Sequence, residues 1–152
     1  MKTIVVLSDT HGNFKAIDKI LPIINESDYL FHLGDHDSDI KAYRNDVKAK
    51  VYSVKGNCDG GGDDLTVEVE GVKILLTHGD RYGVKRSIYP LYLKAKEIGV
   101  NLVCYGHTHD ASILEQDGIF LVNPGCANGF YANSYCYIVI HNGKITSKLV
   151  EF

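Results

Sequence analysis

Asp9, His11, Asp35, Asn57, His78, His107 and His109 are the residues of this chain whose types and surroundings could do chemistry together. They lie in five short polar clusters: Asp9-Thr10-His11-Gly12, Gly34-Asp35-His36-Asp37, Gly56-Asn57-Cys58-Asp59, Thr77-His78-Gly79 and Gly106-His107-Thr108-His109. Two carboxylates, one amide carbonyl and four imidazoles make a nitrogen and oxygen donor set. Such a set suits Mn, Fe, Co, Ni or Zn better than calcium or an iron–sulfur cluster. Seven donors are too many for one tetrahedral ion, but two ions sharing a carboxylate could divide them and keep open positions for water. Taken singly, each cluster has a plainer reading: a turn for Gly34-Asp35 and Gly56-Asn57, a satisfied core histidine for His78, an incidental histidine in Asp9-Thr10-His11. Gly106-His107-Thr108-His109 is the strongest alone, and coincidence of all five in this order is improbable.

Each cluster follows an apolar run that reads as a strand. The β-branched stretch Lys2 to Leu7 ends at Ser8-Asp9, Tyr29 to Leu33 at Gly34-Asp35, and Val51 to Val54 at Gly56-Asn57. Lys73 to Thr77 ends at His78, and Leu102 to Tyr105 at Gly106-His107. In open α/β sheets ligands bind outside the carboxyl ends of strands, so residues remote in sequence can meet there. Between the strands, Asn13 can cap a helix to about Asn25 with Phe14, Ile17, Ile20, Leu21 and Ile24 at helical spacing. Pro22 should kink or shorten it. A short helix after Ser38 or Asp39 and another over Ile88 to Ile98 are expected. A strand from Thr66 to Glu70 forms a hairpin with the Lys73 strand about Gly71, and Gly60-Gly61-Gly62 reads as a mobile loop. From Ala111 onward the chain reads as short strands with turns at Asp117-Gly118 and Asn142-Gly143, so two packed sheets with helices outside are predicted.

The 152 residues, 45% of them apolar, suffice for a single domain over 1–152. A net charge of −3 gives no strong nucleic-acid or anionic-membrane signal, although bound metals would reverse the sign of an acidic site. The four-residue apolar run at the N-terminus is too short for a signal peptide or a membrane span. Cys58, Cys104, Cys126 and Cys136 form no CxxC pair, and a reduced, cytoplasmic location is expected.

The ordered set of motifs, with Asn123-Pro124-Gly125 near the end, resembles the calcineurin-like metallophosphoesterase superfamily, and in particular its small YfcE-like phosphodiesterase branch, over nearly the whole chain. The resemblance implies a four-layer α/β/β/α sandwich of two mixed sheets. It also implies that Asp9, His11, Asp35 and His109 hold one divalent transition metal ion and Asp35, Asn57, His78 and His107 the other, with Asp35 bridging. Manganese is the first choice, and Ni, Fe, Co, Zn or Mg are the others. Asp35 and Asn57 then count as catalytic as well as ligating, and a small phosphate ester is cleaved by in-line attack of water or hydroxide held between the ions. Small relatives often form dimers or tetramers, so a homo-oligomer is possible.

One position departs from the wider superfamily. Many members carry His after the Asn where this chain has Cys58, as is usual in the YfcE-like branch. Loss of that general acid, typically worth about 10² to 10⁴ in rate, favours esters with good leaving groups. His36 and Asp59 are possible substitutes or ligand-orienting neighbours, and Cys58 itself could be a reactive thiol beside the metals. Arg81 could contact a substrate phosphate or be a surface charge; Phe130 and Tyr131 could form an aromatic wall. His32 reads as core or as a partner orienting a ligand. Alternatives to the enzyme are a Vps29-like protein-binding scaffold on the same fold, disfavoured by the full ligand set, and metal storage or sensing, which would want closed coordination.

Overall fold

Ile4 and Val6 point to one face of the first strand, β1 (Lys2–Leu7), and Val5 and Leu7 to the other, and all four are fully buried. A strand apolar on both faces needs a cover on each. The computed structural model, which describes residues 1–128 and 132–152, supplies both covers. On one side Ile4 and Val6 meet Leu76, Leu102, Cys104 and Val122 of a second sheet. On the other, Val5 and Leu7 pack with Ile17, Ile20 and Ile24 of helix α1 (Phe14–Glu26).

The first sheet has the order β10-β9-β1-β2-β3, with β2 (Tyr29–His32), β3 (Lys50–Ser53), β9 (Ser134–His141) and β10 (Lys144–Glu151). In it β1, β2 and β3 run parallel while β9 and β10 are antiparallel additions. The second sheet has the order β4-β5-β6-β8-β7. Here β5 (Val72–Leu76), β6 (Leu102–Cys104) and β8 (Ile119–Asn123) are parallel, and β4 (Leu65–Val69) and β7 (Ser112–Gln116) are antiparallel edges. Leu75 and Val103, on the outer face of this sheet, pack with Leu91, Tyr92 and Ala95 of α3 (Tyr89–Ile98). Three apolar seams thus separate four layers, the two-sheet α/β sandwich that the sequence pattern predicts. Among the described residues no helix is long and apolar enough to cross a membrane.

Several boundaries differ from expectation by a residue, as at β3, β4 and β5. Pro22 does not shorten α1, which continues to Glu26. The proline is on the solvent side, so the carbonyl it leaves without an N–H partner can be hydrated. Phe14, at helical spacing with the core residues, is 45% exposed and lies beside Tyr43 instead. The short helix α2 (Ser38–Ala42) is present, and Ile40 joins the α1 seam.

Candidate metal centre

The parallel strands of both sheets deliver their carboxyl ends to one end of the sandwich, and six of the seven predicted donors, all but Asn57, gather there in two groups. Donor atoms of Asp9, His11 and His109 lie within 4.8 Å of one another, as do those of Asp35, His78 and His107. Each group draws on both sheets: β1 and the turn after β6 build one, β2 and the turns after β5 and β6 the other. Asp9 Oδ1 is 3.1 Å from His109 Nε2 and 3.8 Å from His11 Nε2. Asp35 Oδ2 is 3.4 Å from His78 Nε2 and 3.8 Å from His11 Nε2, so it stands between the two groups.

Asn57 occupies the single-turn helix Asn57–Asp59 beside the Asp35 turn, with its side-chain amide 4.0 Å from Cys58 Sγ. The backbone N–H of Cys58 donates to Asp35 Oδ1 at 2.9 Å, which leaves Oδ2 to face the histidines. Cys58 is exposed, and partial burial together with the Asp35 carboxylate pushes its thiol up. Asp59 accepts N–H bonds from His36 at 2.7 Å, Gly56 at 3.0 Å and Asp37 at 3.4 Å. Its carboxyl is held below the ordinary value because these N–H groups outweigh the opposing effect of burial. Such a carboxylate clamps the Asp35 and Asn57 turns to each other. The His36 ring lies 5.0 Å from that of His11, at the margin of the first group.

Positive φ is frequent in these turns. Asp9, His11, Asp35, His36, His107 and His109 all have φ between 43° and 72°, a region that costs a non-glycine residue energy and that Asp and His enter more readily than most. Tertiary contacts hold them there. A Cβ on Gly56 would stand 2.2 Å from Asp35 Oδ1, and one on Gly106 would stand 2.1 Å from Ser8 Oγ and 2.9 Å from Asp9 Oδ2. The glycines before Asn57 and His107 therefore let two ligand turns touch.

Below the ligands runs a buried polar chain. Gly34 N–H donates to His32 Nδ1 at 3.2 Å, which places the His32 proton on Nε2, 3.0 Å from Thr10 Oγ1. Thr10 donates in turn to Asp39 Oδ2 at 2.6 Å, and the N–H of Gly12 reaches the same oxygen at 2.7 Å. Burial pulls the pKa of His32 down to about 4 against the pull of Asp39, so it is a neutral linker of the turns after β1 and β2. Asn123, fully buried, donates to Gly106 O at 3.2 Å and Thr108 Oγ1 at 2.9 Å and accepts from Gly125 N–H, fixing the His107 turn.

Thr10 and Asp39 were not singled out by sequence reasoning. An Asp at a helix start carries no signal of its own. Asn123, noted only within Asn123-Pro124-Gly125, ends the apolar run Ile119 to Val122 in the same way as the ligand strands do. Arg81, a candidate phosphate contact, donates to Asp64 Oδ1 at 2.9 Å, and Tyr82 OH donates to the other oxygen at 2.7 Å. Phe130 and Tyr131 lie outside the described residues.

The donor chemistry fits divalent metals. His78 Nδ1 donates to Leu33 O at 2.7 Å, so in the neutral ring Nε2 carries a bare lone pair, and it faces His107 Nδ1 at 3.1 Å. Burial first and His78 next hold His107 below its ordinary pKa, favouring a neutral imidazole there as well. His11 Nε2 is buried without a hydrogen-bond partner among the described residues. Asp35 is held below the usual carboxylate range: burial opposes ionisation, but the Cys58 N–H and His78 overcome it. A buried imidazole nitrogen with no hydrogen-bond partner among the described residues, 3.8 Å from the carboxylates of both Asp9 and Asp35, suits a bound cation.

Two mixed sheets delivering imidazoles and carboxylates to one end define an α/β sandwich with a candidate divalent-metal site. More specifically, the chain belongs to the calcineurin-like phosphoesterase superfamily, whose domain model matches residues 1–144. It is 32% identical over 155 residues to the probable metallophosphoesterase YsnB of Bacillus subtilis, covering 97% of this chain and 90% of that protein. It is 30% identical over 153 residues to the phosphodiesterase YfcE of Escherichia coli, covering 82% and 79%. A solved structure of Vps29 from Entamoeba histolytica superposes with a TM-score of 0.79 at 20% identity, covering 99% of each chain, a likeness of fold.

Proposed function

We propose that this chain is a phosphodiesterase that works with two divalent metal ions, manganese first, on a small phosphate ester. Asp9, His11, Asp35 and His109 would hold one ion and Asp35, Asn57, His78 and His107 the other. The observation that carries this reading is the place of Asp35 Oδ2, within 4 Å of a histidine nitrogen from each group. When bound, two divalent ions supply positive charge against phosphoryl oxygens and acidify water.

The chain's own groups do the rest. Leu33 O fixes the His78 tautomer, and Cys58 N–H and Asp59 set the Asp35 carboxylate and the Asn57 turn. Water attacks phosphorus in line, with no protein nucleophile. His36 is an additional imidazole beside His11, whereas Cys58, with its thiol pKa raised, is a poor proton donor to a leaving group. Esters with acidic leaving groups should therefore turn over fastest. The YfcE name supports a diester over a monoester. One domain over 1–152 and a cytoplasmic location belong to the same reading; all four cysteines are free, which suits a reducing compartment.

Metal analysis combined with turnover of bis(p-nitrophenyl) phosphate and p-nitrophenyl phosphate tests it. Bound metal with turnover of the diester above the monoester is expected. Metal without turnover of either ester would contradict it.

A further inference from the structure

A cavity of about 390 Å³ opens beside His107, bounded by the loop that follows His78 and contributes Asp80, Arg81, Lys85 and Arg86. Its size is that of a small-ligand pocket. The charges are unevenly committed. Arg81 is paired with Asp64, which does not line the cavity, whereas Lys85 and Arg86 are exposed and in no ion pair among the described residues. With Asp80 set against one of them, the cavity keeps a net positive charge, in a chain whose net charge is −3. Lys85 also lines the next cavity along, with Thr108, Asp110 and Ser112, so it borders the His107 turn on two sides.

We propose that this cavity is a subsite for a second phosphate of the substrate, held by Lys85 and Arg86 while the scissile diester sits over Asp35, His78 and His107. It rests on the phosphodiesterase reading above and deepens it. A terminal phosphate carries about two negative charges near neutrality and three acceptor oxygens, which matches two unpaired cations better than a single carboxylate does. The Asp64 contacts of Arg81 and Tyr82 tether the start of the loop that carries the two free cations.

The test compares two chromogenic diesters that differ only by that group: thymidine 5′-(p-nitrophenyl phosphate) with and without a 3′-phosphate, in manganese at low salt. The 3′-phosphorylated ester should be preferred in kcat/KM by roughly tenfold, the preference shrinking as salt rises. The double substitution Lys85→Met with Arg86→Met should bring the ratio of the two esters close to one. Equal use of the two esters, or a preference that survives the double substitution, would overturn the subsite. Should neither ester be turned over, the phosphodiesterase reading fails separately. Calorimetry then decides the subsite: tighter binding of thymidine 3′,5′-bisphosphate than of thymidine 5′-monophosphate, lost in the double variant, supports it, and equal binding refutes it.

Discussion

The two ends of the sandwich use the same unusual backbone conformation for opposite reasons. At the end away from the metal centre, Glu70-Gly71, Asp117-Gly118 and Asn142-Gly143 each place two consecutive residues at positive φ, the two-residue hairpin turn whose twist suits the flanking strands. A Cβ on Gly71, Gly118 or Gly143 would meet nothing within 4 Å. At the metal-candidate end, positive φ falls on Asp9, His11, Asp35, His36, His107 and His109, and Gly34, Gly56 and Gly106 are packed against other turns, whereas Gly12 is open. Hairpin turns are thus a local matter of chain twist. The turns that carry the candidate donors are held by contacts from elsewhere in the fold, and the energy stored in them is set against packing and buried hydrogen bonds.

Substitutions can break that contrast. Gly106→Ala drives a Cβ into Ser8 Oγ and Asp9 Oδ2 and should cost on the order of 4 kcal/mol, with loss of metal from the Asp9 group; denaturant unfolding and metal analysis would show it. An unfolding midpoint within error of the parent protein would mean the two ends tolerate a methyl alike.

The next largest effect is on pH. His32 has a folded pKa of about 4 against an ordinary 6.5, so between these values the unfolded chain binds a proton that the folded chain refuses. Stability is therefore full above about pH 6.5 and falls as pH drops toward 4, by about 3 kcal/mol in total. A His32→Gln variant should lack that portion of the pH dependence in urea titrations, and an unchanged slope would remove His32 from the account.

Asn123→Ala leaves the Gly106 carbonyl, Thr108 and the Gly125 N–H short of a partner and should cost about 2 kcal/mol, with weaker metal affinity. Gly118→Ala, at the other end, puts a side chain at positive φ into open space. It should lower stability by only about 1 kcal/mol and leave metal content untouched, as thermal melts and metal analysis would report.

The same division explains what could be read before any coordinates were in hand. Hairpins at Asp117-Gly118 and Asn142-Gly143 were legible because a turn of this kind is written in two adjacent residues. The candidate donors were legible as a group because five apolar runs each stop at a polar cluster, and the strand ends of both sheets do meet. Thr10 and Asp39 were not legible, since their role depends on His32, and that partnership exists only once β1 and β2 pair in parallel. The tie of Arg81 to Asp64 was hidden for the same reason: neither residue type at that spacing implies the other.

The proposed two-metal site requires Asp35 to serve both metal positions at once. Metal stoichiometry of the purified protein, measured beside Asp35→Ala and His109→Ala, tests it most directly. Two ions per chain are expected for the parent protein, loss from both positions in Asp35→Ala, and weakening of mainly one in His109→Ala. Full metal content and activity in Asp35→Ala would contradict the bridging role and the two-metal reading with it.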